Sequence, residues 1–310
     1  MVTILYGFTL IALAIAIIIG CAYFFTNNET GDLLEYQKSS NYQYIKLSHG
    51  LTAYKEFGSK NDIPIIVIHG ATLPSEGFLE FCESLSQHGY WVICYDQYGR
   101  GYSDRPKIKY TMEVYLFQLN ELINYLNIKK FILYGASMGA PIAINYSNNN
   151  SKSVLAVGLQ VPLVHINNSI LKTLRIPIIG NLMMRFFGIS SAKKRALHWE
   201  INSSNQRLFL SKYLKQLSLP GTEHSLLSMF RYISSKNYFS DYVNFAKFEI
   251  PIHIAYASDD EEVPPESIKQ VINNIPHVES LVFTGGHGGG NKILDDLTNI
   301  FSEFLKKHLN

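Results

Sequence analysis

Residues 132–140 read Ile-Leu-Tyr-Gly-Ala-Ser-Met-Gly-Ala. The apolar run 131–134 has the character of the end of a buried strand, and 141–146 reads as a helix. Between them, Gly135-Ala136-Ser137-Met138-Gly139 is Gly-x-Ser-x-Gly in a strand–turn–helix context. So sharp a turn strains its central residue and needs small neighbours. Gly135 and Gly139 leave room for the backbone to approach what surrounds it. Ser137 would then stand at a helix N-terminus, where the helix dipole and the free N–H of Met138 favour negative charge. Alone, the pattern also fits a glycine-rich turn carrying an ordinary serine. The surroundings decide.

Outward from this turn, buried-strand and helix patterns alternate. Residues 42–46 and 51–57 read as an opening hairpin across His49-Gly50. Apolar runs at 63–68, 90–95, 154–160, 252–257 and 280–284 read as further strands. Helical spacing occupies 78–88, 112–126 and 294–309. This alternation predicts an α/β fold with a mostly parallel, doubly wound sheet, and chemistry at the carboxyl ends of its strands.

A serine hydroxyl is a weak nucleophile; it needs a base, and the base needs an orienting carboxylate. Ser258-Asp259-Asp260 follows the strand at 252–257, and Gly286-His287 follows the one at 280–284. His287 lies among five glycines, which packing does not explain. His277 precedes the last strand and would sit at the wrong end of the sheet. Asp259 and Asp260 both suit the acid, and spacing alone does not choose; either could also be an ordinary turn aspartate. Oxyanion donors would be the backbone N–H groups of Ala71 and Met138. His69 reads as a structural loop histidine.

Together, His69-Gly70, the stretch from Asp96 to Ser103, the Ser137 turn, Asp260 with Val263-Pro264, and Gly286-His287 resemble the α/β-hydrolases, from about residue 42 to the C-terminus. The family's Gly-x-x-Asp-x-x-Val-Pro pattern falls on Ala257, Asp260, Val263 and Pro264, so the resemblance prefers Asp260. Monoacylglycerol-lipase-like esterases and meta-cleavage-product hydrolases look most similar. Haloalkane dehalogenases and most epoxide hydrolases of this fold carry Asp where Ser137 stands. The run Gly288-Gly289-Gly290 departs from the family and implies a mobile loop; Ala257 and Ala140 replace frequent glycines.

Residues 3–25 carry no charge and would form a helix about 35 Å long, enough to span a bilayer. Residues 1–26 are therefore read as a retained anchor, with a cleaved signal or a lipoprotein signal at Cys21 as alternatives. Glu29, Asp32 and Glu35 against Lys38 favour an exoplasmic catalytic side. Residues 27–40 read as a polar linker, 41–161 and 250–310 as the hydrolase core, and 162–249 as a helical cap.

The cap carries a charge of +8 from twelve Lys or Arg against four acids, in a 310-residue chain of net charge +2. Within it, 174–189 mixes apolar residues with Arg175 and Arg185. This suits a cap touching anionic lipid and admitting an acyl chain, or else a merely solvated basic face. Lys193, Lys194 and Arg195 are the basic residues expected to matter there.

The overall charge balance gives no reason to expect nucleic acid. Cys21, Cys82 and Cys94 are too few and too scattered for a metal site or a disulfide framework. No cofactor is implied, and nothing bears on oligomeric state. These features predict a serine esterase or lipase acting on lipid monoesters. A carbon–carbon bond hydrolase of the meta-cleavage type and a non-catalytic binding protein on the same fold are the alternatives.

Overall fold

The computed structural model describes residues 2–199 and 203–309. Residue 1 of the anchor assignment, 200–202 of the cap and 310 of the core lie outside the described residues.

Eight strands form one sheet: β1 (Gln43–Leu47), β2 (Gly50–Phe57), β3 (Ile63–Ile68), β4 (Tyr90–Tyr95), β5 (Phe131–Ala136), β6 (Val154–Gln160), β7 (Ile252–Ala257) and β8 (Val278–Phe283). Their spatial order is β1-β2-β4-β3-β5-β6-β7-β8. Only β2 runs antiparallel to its neighbours; β3 to β8 are mutually parallel. Every residue of β4, β5 and β7 is buried. That explains their unbroken apolar runs, since a parallel strand is covered on both faces.

Helices α1 (Val2–Phe25), α2 (Leu33–Lys38), α3 (Leu79–Gln87), α4 (Met112–Tyr125) and α5 (Gly139–Asn149) precede the insertion. Helices α6 (Ser169–Leu174), α7 (Pro177–Met183), α8 (Ile189–Ala196), α9 (Ser204–Gln216), α10 (Thr222–Met229) and α11 (Phe239–Phe245) lie within it, between β6 and β7. Helices α12 (Pro265–Asn273) and α13 (Leu294–Leu309) complete the chain. Helices α3 and α13 cover one face of the sheet through Phe81, Leu85, Phe301 and Leu305. Helices α4, α5 and α12 cover the other through residues such as Leu119, Ile142 and Ile268.

Two boundaries differ from expectation. Strand β8 starts at Val278, directly after His277. The segment 27–40, read as a polar linker, is folded. Asp32 caps α2 by accepting from the N–H groups of Leu34 and Glu35. Tyr36 is buried and stacks on Tyr102 at 4.5 Å. Gln37 Nε2 donates to the Tyr102 carbonyl at 2.9 Å. Glutamine counts as polar by composition, yet here the polar ends of both side chains are satisfied and their bodies packed.

His253, on β7, is 2% exposed, with its ring 5.5 Å from that of Phe304. Burial pushes its pKa down to about 4. The neutral imidazole is the form the fold accommodates. The stability tied to it is complete above the ordinary histidine value of about 6.5 and is lost progressively as pH falls from there to about 4. His253→Phe should flatten this acid limb by one proton's slope, ~1.4 kcal/mol per pH unit. Unfolding measured across that pH range in both proteins checks it; identical slopes would contradict it.

Candidate active site

The turn after β5 is held by contacts that admit no side chain at its two glycines. A Cβ on Gly139 would lie 2.1 Å from the Ile68 carbonyl oxygen, and one on Gly135 would lie 2.6 Å from the Gly139 carbonyl oxygen. Strand β3, the elbow and α5 therefore meet backbone to backbone. Ser137 adopts φ +50°, a left-handed conformation costly for a residue with a Cβ. Its N–H donates to the Gln160 carbonyl at 2.9 Å, and its carbonyl accepts from Ala140 and Leu163. These bonds fix the strained residue and leave Oγ free to face the carboxyl edge of the sheet.

Across that edge stands His287. Its Nε2 lies 2.9 Å from Ser137 Oγ, and its Nδ1 lies 2.7 Å from Asp260 Oδ2. An ionised carboxylate only accepts, so Nδ1 carries the proton and Nε2 accepts from the serine hydroxyl. The Asp260 side chain is fully buried, and Oδ1 accepts from the N–H groups of Glu262 and Val263 at 2.8 and 2.9 Å. Both oxygens are thus satisfied, and the aspartate cannot rotate away from the imidazole.

Asp259 is exposed and turned elsewhere. Its carboxylate accepts from the N–H groups of Gly285 and Gly286, which hold its pKa below the usual carboxylate range. It ties down the loop that carries His287 without touching the imidazole. His277 donates from Nε2 to the Ile250 carbonyl at the amino end of the sheet. His69 is buried beside the site but oriented for structure. Its Nε2 accepts from Gln97 N–H at 2.9 Å while Nδ1 donates to Gly70 O, and burial lowers its pKa to about 3.

A cavity of about 340 Å³ opens over Ser137 and His287. Ala71 and Met138 border it, and neither backbone N–H has an acceptor among the described residues. Its remaining wall is largely apolar, with Leu73, Phe78 and Val263 from the core and Leu163, Leu171 and Phe230 from the insertion.

Three supporting residues escaped the sequence reading. Arg100, buried within the Asp96–Ser103 stretch, donates from Nε to the Ala71 carbonyl and from Nη1 to Ser225 Oγ of α10. It fixes the Ala71 turn and couples it to the insertion. Gln97, in the same stretch, donates from Nε2 to the His69 carbonyl. Gln160 ends β6; its Oε1 accepts from Tyr134 OH, and its amide lies against Gly290. A basic residue set between two glycines was the visible signal for Arg100. Gln160 left none, because its role depends on a loop 130 residues later. Glycines of that loop also have a packing role. Gly289 and Gly290 are buried in a tight turn, where a Cβ would meet Thr284 O at 2.9 Å or Gln160 Nε2 at 2.1 Å. Two of the three glycines thus serve close packing; only Gly288 faces open space.

A family model described as alpha/beta hydrolase fold matches residues 63–289. The chain belongs to the alpha/beta hydrolase fold family. Over 224 residues it is 21% identical to a non-heme chloroperoxidase of Streptomyces lividans, covering 68% of this chain and 79% of that one. It is 34% identical to a proline iminopeptidase of Lactobacillus helveticus, but over only 31% of this chain and 34% of that one. Among solved structures, the enol-lactonase from Burkholderia xenovorans LB400 superposes with TM-score 0.71 at 16% identity, covering 85% of this hydrolase-fold chain and all of the other. An esterase from Exiguobacterium antarcticum gives TM-score 0.71 at 20% identity, covering 85% and 99%. At such identities these likenesses establish the fold.

The close approaches make a prediction. Gly139→Ala should destabilise the fold by about 3 kcal/mol, the upper end of overpacking costs. Gly288→Ala, which meets nothing within 4 Å, should stay within ~0.5 kcal/mol of wild type. Denaturant titration of the two variants checks the contrast.

Proposed function

We propose that this protein is a serine ester hydrolase held at a membrane by α1 and acting on lipid monoesters. The observation that carries the reading is the linear array Ser137–His287–Asp260, with both hydrogen bonds at 2.9 Å or less. In this mechanism Ser137 Oγ attacks the ester carbonyl carbon while His287 Nε2 takes its proton. The carbonyl oxygen becomes an oxyanion received by the N–H groups of Ala71 and Met138. Asp260 stabilises the imidazolium that forms. Collapse breaks the ester C–O bond, and the imidazolium returns its proton to the departing alcohol. Water then attacks the acyl-enzyme by the same route, releasing the carboxylic acid and restoring Ser137.

The lipid part of the proposal is supported by the apolar cavity wall and by α1, of which Phe8–Phe25 is long and apolar enough to cross a membrane. An enol-lactonase and an esterase among the similar folds are compatible with ester chemistry. Carbon–carbon bond hydrolysis of small acids has two observations in its favour, Arg195 at the cavity wall and a meta-cleavage product hydrolase among the similar folds. That guanidinium, however, already lies 3.6 Å from Glu262.

Ser137→Ala should lower kcat by three or more orders of magnitude on any ester the protein turns over, as removal of a triad member does. Asp260→Asn should be severely impaired, because the imidazole would settle in the wrong tautomer. Asp259→Asn should stay within about tenfold, since an amide oxygen still accepts from the loop. Steady-state kinetics over an ester chain-length panel test this. Full activity in Ser137→Ala, or a larger loss at Asp259 than at Asp260, would refute the assignment.

A further inference from the structure

The C-terminal end of α1 packs against the cap, and Arg185 is the centre of that junction. It lies in a π-helical turn, Met184–Gly188, directly after α7. Its guanidinium carbon sits 5.2 Å from the Tyr23 ring centroid, and Nε donates to the Tyr23 carbonyl at 3.3 Å. Nη1 pairs with Glu223 of α10 at 2.9 Å. Asn28 Nδ2 bonds both Glu223 Oε1 and the Arg185 carbonyl, and the Glu29 carboxylate accepts from Glu223 N–H. Phe186 meets the Tyr23 ring edge-on at 6.4 Å. The pair's side chains are only 19% and 12% exposed, so water screens it less than an ordinary surface pair.

Beside this junction the cap presents an apolar ridge. Ile178 is 74% exposed and Phe187 63%, with Ile170, Ile176 and Ile179 exposed around them. Arg231 holds the bend between α6 and α7 by donating to the carbonyls of Leu174 and Pro177. Within α6 itself, Leu171 lines the cavity over Ser137 while Ile170 faces out. Lys172 and Arg175 are exposed between the apolar residues, with no carboxylate partner among the described residues. The triplet expected to meet lipid is largely engaged elsewhere: Lys193 donates to Ser218 Oγ, and Arg195 faces Glu262.

We propose that the α6–α7 ridge, with Phe187, inserts into the bilayer interface at a depth set by the Tyr23–Arg185–Glu223 clamp, and that this is where a lipid monoester enters the cavity. This rests on the function proposed above, the ridge on its membrane-held α1 and the entry step on its lipid substrate. The bilayer is the occupant because the ridge is continuous, through Phe186 and Tyr23, with an exposed apolar span. Tyr23, Phe24 and Phe25 end that span as aromatic residues do at headgroup level. A ridge packed on Tyr23 is therefore held at the same level, with Lys172 and Arg175 placed to meet anionic headgroups.

The test uses the full chain reconstituted into vesicles of phosphatidylcholine, with or without phosphatidylglycerol. In a Cys21→Ser background, Ile178→Cys carries an environment-sensitive fluorophore, and brominated lipid reports contact with acyl chains. We expect a blue-shifted, quenched probe, and loss of both effects on adding Arg185→Ala. A probe in water overturns the ridge. Quenching unchanged by Arg185→Ala overturns the clamp. A blue shift without bromine quenching that fades as protein is diluted in the bilayer assigns the ridge to a second copy, and also overturns the proposal. Unlabelled Ile178→Ser/Ile179→Ser should lower hydrolysis of a bilayer-embedded monoester about tenfold or more. It should leave a short soluble ester unchanged, which also shows the variant is folded. If the wild type cleaves no bilayer ester while the probe is quenched, the substrate reading fails and the ridge stands.

Discussion

The arrangement depends on one close approach, that of Gly139 to the carbonyl of Ile68. Strand β3, the elbow and α5 can meet only where no side chain intervenes. That contact holds Ser137 at a φ the residue would not choose. The cost of this conformation is met by the surrounding sheet, whose strands β4, β5 and β7 are buried along their whole length. The serine's place is thus a property of the fold's centre, while its partners arrive on loops after β7 and β8. Those loops are secured separately. Asp260 is fixed by two backbone donors, and the His287 loop by Asp259, by the turn at Gly289 and by the Gln160 side chain.

Much of this was legible in the residues. Buried parallel strands leave unbroken apolar runs, so the sheet could be read before its order was known. The elbow announces itself because its chemistry and its sterics need the same short pattern. The choice between Asp259 and Asp260 was different. Adjacent residues on a turn point in different directions, and spacing does not encode which one turns inward. Family resemblance favoured Asp260, and the geometry agrees in that its carboxylate is the one that meets the imidazole. What stayed hidden depends on partners distant in sequence. The segment 27–40 looks polar because asparagine, glutamate, serine and other polar residues make up most of it, yet it packs on Tyr102 and on the insertion. The close packing of the glycine run at 288–290 was not legible, because the opposing Gln160 amide cannot be seen from the run itself. Net charge hides partners for a similar reason: Arg185, Arg195 and Arg231 of the cap contact carbonyls or carboxylates within the protein.

These contacts join the N-terminal segment to the chemistry. Arg100 links the Ala71 turn to α10, and Glu223 at the start of α10 links to Arg185 and the end of α1. A rigid core, an insertion that shares its cavity and a terminal helix are therefore mechanically continuous. Covalent chemistry at Ser137 is the claim on which any functional meaning of that continuity rests.

The most direct test is to trap the intermediate. The protein is mixed with a chromogenic ester, quenched with acid within the first turnovers, digested and analysed by mass. The account predicts up to one acyl group per chain, carried by Ser137 on the β5–α5 peptide and absent after the ester is exhausted. Sustained turnover with no acyl group on Ser137, or with the acyl group on another residue, would contradict it.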